Sequence, residues 1–209
     1  VFPAVSILVP AYNEELNAVR TVESLLQQDY PNLRVVFIDD GSKDNTYQKV
    51  NAAFENNARV QVHTKPNGGK ASALNYGVSI ADTNYLVCID ADTQLKKDAV
   101  SELMRKFSQP DTRGEIAAVA GNVKVGNEVN MITRWQSIEY ITSQNFDRRA
   151  FDLLNCITVV PGAIGAFKKE AILAAGGFTT DTLAEDCDLT MRLHKNGYVI
   201  RNCSTAISY

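Results

Sequence analysis

Asp90-Ala91-Asp92 and Glu185-Asp186 place carboxylates side by side in short polar breaks of this chain. Asp90 and Asp92 stand two apart at the end of an apolar, extended run at residues 85–89. That spacing sends both side chains from one face of a strand, where they can converge on a hard divalent cation. An Asp-x-Asp can equally cap a helix and lead into a solvated loop, but its position after an apolar strand favours the metal. Glu185-Asp186 opens a helical stretch behind the polar Thr179-Thr180-Asp181-Thr182. Carboxylates are favourable at a helix N-terminus, so a plain cap and a catalytic pair both fit these residues.

Further polar clusters follow the other apolar runs: Pro10-Ala11-Tyr12-Asn13-Glu14, Asp39-Asp40-Gly41-Ser42 and Asn67-Gly68-Gly69-Lys70. In the last of these, glycine lets the backbone approach an anion and the lysine ammonium neutralises it. A helix start with a surface lysine reads the same residues. The segment is not a P-loop, which needs a glycine where Thr64 stands and a hydroxyl where Ala71 follows the lysine. No GxGxxG follows the first apolar run, which disfavours a dinucleotide site. His63 ends a strand and His194 sits near a helix C-terminus, where an imidazolium suits the dipole, so neither calls for a catalytic role.

The elements that must position these clusters alternate. Short β-branched runs at residues 5–9, 33–38, 60–64, 85–89 and 116–120 read as strands. Between them Leu16, Val19 and Leu26, then Tyr47, Val50 and Phe54, then Leu74, Val78 and Ala81 recur at helical spacing. Val100, Leu103, Met104 and Phe107 do so most clearly. The layout is α/β, with a mixed, mostly parallel sheet flanked by helices. In such sheets ligands bind at the carboxyl ends of strands, which is where the polar clusters fall. Past Gly121 the alternation breaks: the pattern predicts a long helix over 131–149, a small-residue strand region over 159–167, and helices over 169–175 and 186–195. Gly176-Gly177 and Asn196-Gly197 mark helix stops.

With 209 residues the chain reads as a single domain, 1–209, with a first half to 121 and a second half from 122. Hydrophobic residues at 45% and charged residues at 22% argue for a folded core and against disorder. A net charge of -3 removes the broad positive surface of a nucleic-acid binder. Cys88, Cys156, Cys187 and Cys203 form no CxxC pair, so a zinc knuckle is excluded and reduced, cytoplasmic thiols are expected. No apolar run reaches the roughly 18 residues that cross a bilayer. Starting at Val1 and stopping at Tyr209 inside a strand-like stretch, the chain is expected to continue on both sides.

Together these motifs, in their order and spacing, resemble the family 2 glycosyltransferases, in particular the processive branch of cellulose, chitin, hyaluronan and poly-N-acetylglucosamine synthases. The match runs from Val5 to about Tyr198. The resemblance implies the nucleotide-sugar fold called GT-A, with a UDP-sugar-binding half over 1–121 and an acceptor-side half over 122–209. It implies that Ala11, Tyr12, Glu14 and Asp40 hold the uridine and that Lys70 reaches the diphosphate. Asp90 would meet the nucleoside or metal-bound water, and Asp92 a Mn2+ or Mg2+ ion. Asp186 would be the general base of an inverting transfer, beside the substrate-binding Glu185. Val160-Pro161-Gly162-Ala163 resembles the segment lining the acceptor site, and Trp135, Gln136 and Glu139 stand where acceptor-side residues lie, although Trp135 on a helical pattern also reads as core.

The implied partners are a UDP-sugar, N-acetylglucosamine preferred, and a glycan acceptor, with no nucleic acid. The implied location is the cytoplasmic face of the plasma membrane, held there by flanking transmembrane helices. Processive members carry Gln-x-x-Arg-Trp downstream of the base, and no such motif occurs before Tyr209. Competing readings are a non-processive transferase of the same family and a catalytically silent nucleotide-sugar-binding domain. A receiver-type signalling domain also pairs aspartates after strands, but it leaves the second half unexplained.

Overall fold

Runs such as Val5-Ser6-Ile7-Leu8-Val9 and Val35-Val36-Phe37-Ile38 are apolar without alternation because both faces of their sheet are covered. The computed structural model describes residues 2–124, 148–182 and 184–209. Strands β1 (Val5–Ala11), β2 (Leu33–Asp39), β3 (Val60–Thr64), β4 (Tyr85–Cys88), β5 (Ile116–Val123), β6 (Gly165–Lys168) and β7 (Val199–Ser208) form one sheet in the order β3-β2-β1-β4-β6-β5-β7. The pairs β1–β2, β1–β4, β2–β3 and β5–β7 are parallel. β6 runs antiparallel to both of its neighbours, β4 and β5.

Helices α1 (Ala18–Leu26), α2 (Thr46–Phe54), α3 (Lys70–Ile80), α4 (Ala99–Phe107), α5 (Arg148–Leu154), α6 (Lys169–Ala174) and α7 (Glu185–Lys195) complete the described elements. The pleat divides the core in two. Ile7, Val9, Val35 and Phe37 pack with Val22, Leu25, Val50 and Leu103 of α1, α2 and α4. Leu8, Val36 and Ile38 pack with Leu74, Ile172 and Leu189 of α3, α6 and α7. Burying a side chain of this size is worth about 1.5–3 kcal/mol, so the register that aims these residues inward is strongly set.

The strands and the faces of α2, α3 and α4 fall where the periodicity puts them, within a residue or two. The face of α1 does not. Leu16 is 85% exposed ahead of the helix, and the buried positions are Ala18, Thr21, Val22 and Leu25. The residues Glu14 to Asn17 form a turn instead of helix, with the Asn17 N–H donating to the Glu14 carbonyl. The strand expected over 159–167 is only Gly165–Lys168. Pro161 has no N–H for a ladder, and Ile164 N–H closes a turn on the Pro161 carbonyl. Residues 131–147 of the expected long helix, Trp135, Gln136 and Glu139 among them, lie outside the described residues. The described helix Arg148–Leu154 extends past residue 149, where a stop was expected. No helix among the described residues is long and apolar enough to cross a membrane.

Candidate active site

The carboxyl ends of β1, β2 and β4 open into one cleft of about 560 Å3. Ala11, Tyr12, Glu14, Asp40, Lys70, Asp90 and Asp92 all line it, with Pro10, Asn67, Gly69 and Ala91. Local structure fixes each. The turn after β1 is tied to the one after β2: Asn13 N–H donates to Ser42 Oγ (2.9 Å), Lys43 N–H to Asn13 Oδ1 (2.8 Å) and Glu14 N–H to Thr46 Oγ1 (2.8 Å). The turn after β4 is held from α1, where the buried Thr21 hydroxyl donates to the Ala91 carbonyl (2.7 Å).

The two aspartates after β2 divide their work. Asp39 is buried and accepts from the Thr64 hydroxyl (2.8 Å) and from Ser42 N–H. Asp40, also buried, accepts from Lys65 Nζ (2.6 Å), Gly68 N–H (3.1 Å) and Gly69 N–H (2.7 Å). Asp40 therefore folds the Asn67-Gly68-Gly69 turn onto itself and points Lys70, the first residue of α3, into the cleft. Gly69 takes φ +84°, a left-handed value that favours glycine.

Lys70 is the hub. Its Nζ lies 2.5 Å from Asp90 Oδ1 and 3.7 Å from Glu185 Oε1. Burial alone would depress its pKa, but the charges of Asp90 and Glu185 more than offset this and raise it, so the ammonium stays charged. Gly162 packs on the same ammonium: a Cβ there would stand 2.6 Å from Nζ. Lys70 thus brings Gly162 and Glu185, from beyond residue 121, against the cleft. Behind it Cys88 is fully buried, and burial pushes its thiol up to about 12, which makes it inert.

Asp186 follows in the first turn of α7, half-buried, its Oδ1 accepting from Cys187 N–H (2.8 Å). It is not among the residues lining the cleft; it stands beside it through Glu185. The stretch before it is anchored at its base by Arg192, which donates to the carbonyls of Ala175 and Gly177 and pairs with Asp188 (2.7 Å). Asp92 is exposed and makes no ion pair among the described residues. No group of three or more His, Cys, Asp or Glu side chains is gathered there to hold a metal alone. That suits Mg2+ or Mn2+, which are commonly held by one or two carboxylates plus substrate phosphates.

The sequence reading missed Lys65, Thr21, Thr190 and Arg192. Lys65 precedes the Pro66-Asn67-Gly68 turn, and a basic residue beside a glycine turn was its only signal. The other three lie on helix faces, where a polar residue among apolar neighbours marks burial but not its partner. Both histidines are structural: His194 Nε2 meets the Ile157 carbonyl at 2.8 Å and the His63 ring packs edge-on against Tyr76. All four cysteines are free.

A mostly parallel sheet with an antiparallel strand inserted late, and a carboxylate-lined cleft at its carboxyl edge, defines a GT-A nucleotide-sugar transferase fold. The glycosyl transferase family 2 pattern matches residues 6–173, and the chain belongs to that family. It is 32% identical over 197 residues to the poly-beta-1,6-N-acetyl-D-glucosamine synthases of Staphylococcus aureus and Staphylococcus epidermidis. The match covers 94% of this chain but 47% of theirs, so the chain spans about half the length of those relatives. Among solved structures it is similar to the mannosyltransferase PcManGT from Pyrobaculum calidifontis, in complex with GDP-Man and Mn2+. The TM-score is 0.81 at 25% identity, over 100% of this chain and 56% of that one. S. aureus TarS, also solved in complex with UDP, shares the fold at TM-scores of 0.72 and 0.70, 19% identity, and 99% and 59% coverage.

Proposed function

We propose that this domain transfers a sugar from a UDP-sugar to a hydroxyl of a growing polysaccharide with inversion at the anomeric carbon. The observation that carries the reading is the Lys70 hub, which joins the donor cleft at Asp90 to the Glu185-Asp186 turn. Ala11, Tyr12, Glu14 and Asp40 hold the uridine. Asp40 already has donors from Lys65, Gly68 and Gly69, so a uracil imide N–H joins or displaces one of them. Lys70 exchanges Asp90 for the diphosphate. Asp92, with Asp90 beside it, would hold a Mn2+ or Mg2+ ion, whose charge would offset that gathering on the departing diphosphate.

Asp186 takes the proton of the acceptor hydroxyl as its oxygen attacks the anomeric carbon from the face opposite UDP. The bond to the diphosphate oxygen breaks and UDP leaves with its electron pair. Gly162 and its neighbours line the acceptor side. Similarity to the staphylococcal synthases favours N-acetylglucosamine as the sugar and a processive reaction. The known GDP-Man and UDP complexes of structural neighbours support a nucleotide-sugar ligand, Mn2+ among its companions. The two halves, 1–121 and 122–209, act as one domain, placed in the whole protein at the cytoplasmic face of a membrane by flanking helices.

Calorimetric titration with UDP, with and without Mn2+, tests the donor site. Mn2+-dependent binding that disappears in Asp92→Ala is expected; UDP binding indifferent to both metal and substitution would refute the assignment.

A further inference from the structure

Lys70 reaches the first turn of α7 from the donor side, through Glu185. Inside the same helix, Thr190 is fully buried. Its hydroxyl donates to the Asp186 carbonyl (2.6 Å) and accepts from Val160 N–H (3.0 Å). A threonine bonding to the carbonyl four residues earlier is common in helices and by itself carries nothing. The second bond is different, because Val160 lies thirty residues away in the segment that ends β6's approach, two positions before Gly162. Gly162 in turn packs on Lys70. The contacts close a ring: Lys70, Glu185, the first turn of α7, Thr190, Val160, Gly162 and Lys70 again.

Resting on the reading of Asp186 as the base, we propose that Thr190 is a positioning residue for the transfer step. Its hydroxyl holds the turn that carries Asp186 at a fixed distance from the segment 160–162, against which the acceptor lies. A hydroxyl can donate to one partner and accept from another at once, so a single buried atom sets both sides of that gap. Valine has the same shape and does neither. In a site closed to water, Val160 N–H then loses a partner it cannot replace, and the segment is free to shift against α7. The donor cleft, built from β1, β2 and β4, keeps its own hydrogen bonds and meets this segment where Gly162 packs on the flexible end of Lys70.

The test compares Thr190→Val, Thr190→Ser and Asp186→Asn in the full-length protein, measuring sugar turnover from the UDP-sugar and, separately, UDP affinity. In Thr190→Val, kcat is expected to fall about tenfold or more, as for misplaced catalytic groups generally, with UDP Kd within about twofold. Thr190→Ser is expected to restore turnover. Unchanged kcat in Thr190→Val overturns the proposal. So does a parallel loss of UDP affinity, or a serine variant as damaged as the valine one, since either marks a merely structural role. The Asp186→Asn arm separates the two ideas: if it abolishes turnover while Thr190→Val leaves it unchanged, the role of Thr190 alone falls; if it leaves turnover intact, the base assignment falls and takes the Thr190 role with it.

Discussion

In the donor cleft nearly every charge has a partner: Asp39 meets Thr64, Asp40 meets Lys65 and two backbone N–H groups, and Asp90 meets Lys70. The arm that leads to Asp186 is more open. Thr180, Asp181, Thr182 and Ala184 are exposed or nearly so, and the Asp186 carboxylate accepts only from the N–H of its own neighbour among the described contacts. The difference fits the tasks proposed for the two regions. A site that recognises a nucleotide gains by being shaped before it binds, since ordering it later would cost affinity. A base is required only once an acceptor hydroxyl arrives, and its carboxylate must stay open to receive a proton.

The sharpest way to break this contrast is Asp186→Asn. Turnover is expected to fall by about two to four powers of ten, while UDP titration shows unchanged affinity; a loss of affinity would mean that the two regions are one. Next comes Asp92→Ala, for which metal-stimulated UDP binding is expected to weaken by about a hundredfold, taking the loss of a metal partner as the guide. Gly162→Ala is milder. The added Cβ crowds the flexible end of Lys70, with Asp90 Oδ1 at an ordinary 3.9 Å, so melting is expected to move little while UDP affinity drops about fivefold through a displaced ammonium, a charge-assisted contact being worth of order 1 kcal/mol or more.

The smallest effect concerns the arm alone and depends on pH. The Thr179 hydroxyl and then Arg192 hold Asp188 below its ordinary carboxylate pKa. A group lowered in the folded state adds stability above its unfolded pKa, about 3.9 for Asp, and loses it as pH falls through the folded value. Wild type is therefore expected to melt above Asp188→Asn at neutral pH, with the gap closing in acid. A gap that persists or widens in acid would refute that origin.

Much of the cleft's lining was legible in the sequence because its residues follow strands, and a strand's end is marked by a change in composition: Asp40, Lys70, Asp90 and Asp92 all sit at such changes and share the cleft. The phase of α1 was not legible, because Leu16 is apolar yet sits in a turn fixed by Glu14 and Asn17. The span of β6 was not legible either, since Val159 and Val160 look like strand until Pro161 breaks the ladder. Thr190 and Lys65 stayed hidden for another reason: their importance lies in a partner distant in sequence, Val160 and Asp40, and pattern along the chain carries no such pairing.

The position of β6 bears on how this protein can be cut or recombined. β4 and β5, the latter running across residue 121 to Val123, are joined in the sheet by way of Gly165–Lys168 from the later part. A piece ending at residue 121 would therefore cut β5 short and leave no strand between it and β4, and exchanging everything after it means replacing the middle of a sheet. The parts of the chain before and after residue 121 therefore share one sheet and are expected to fold together.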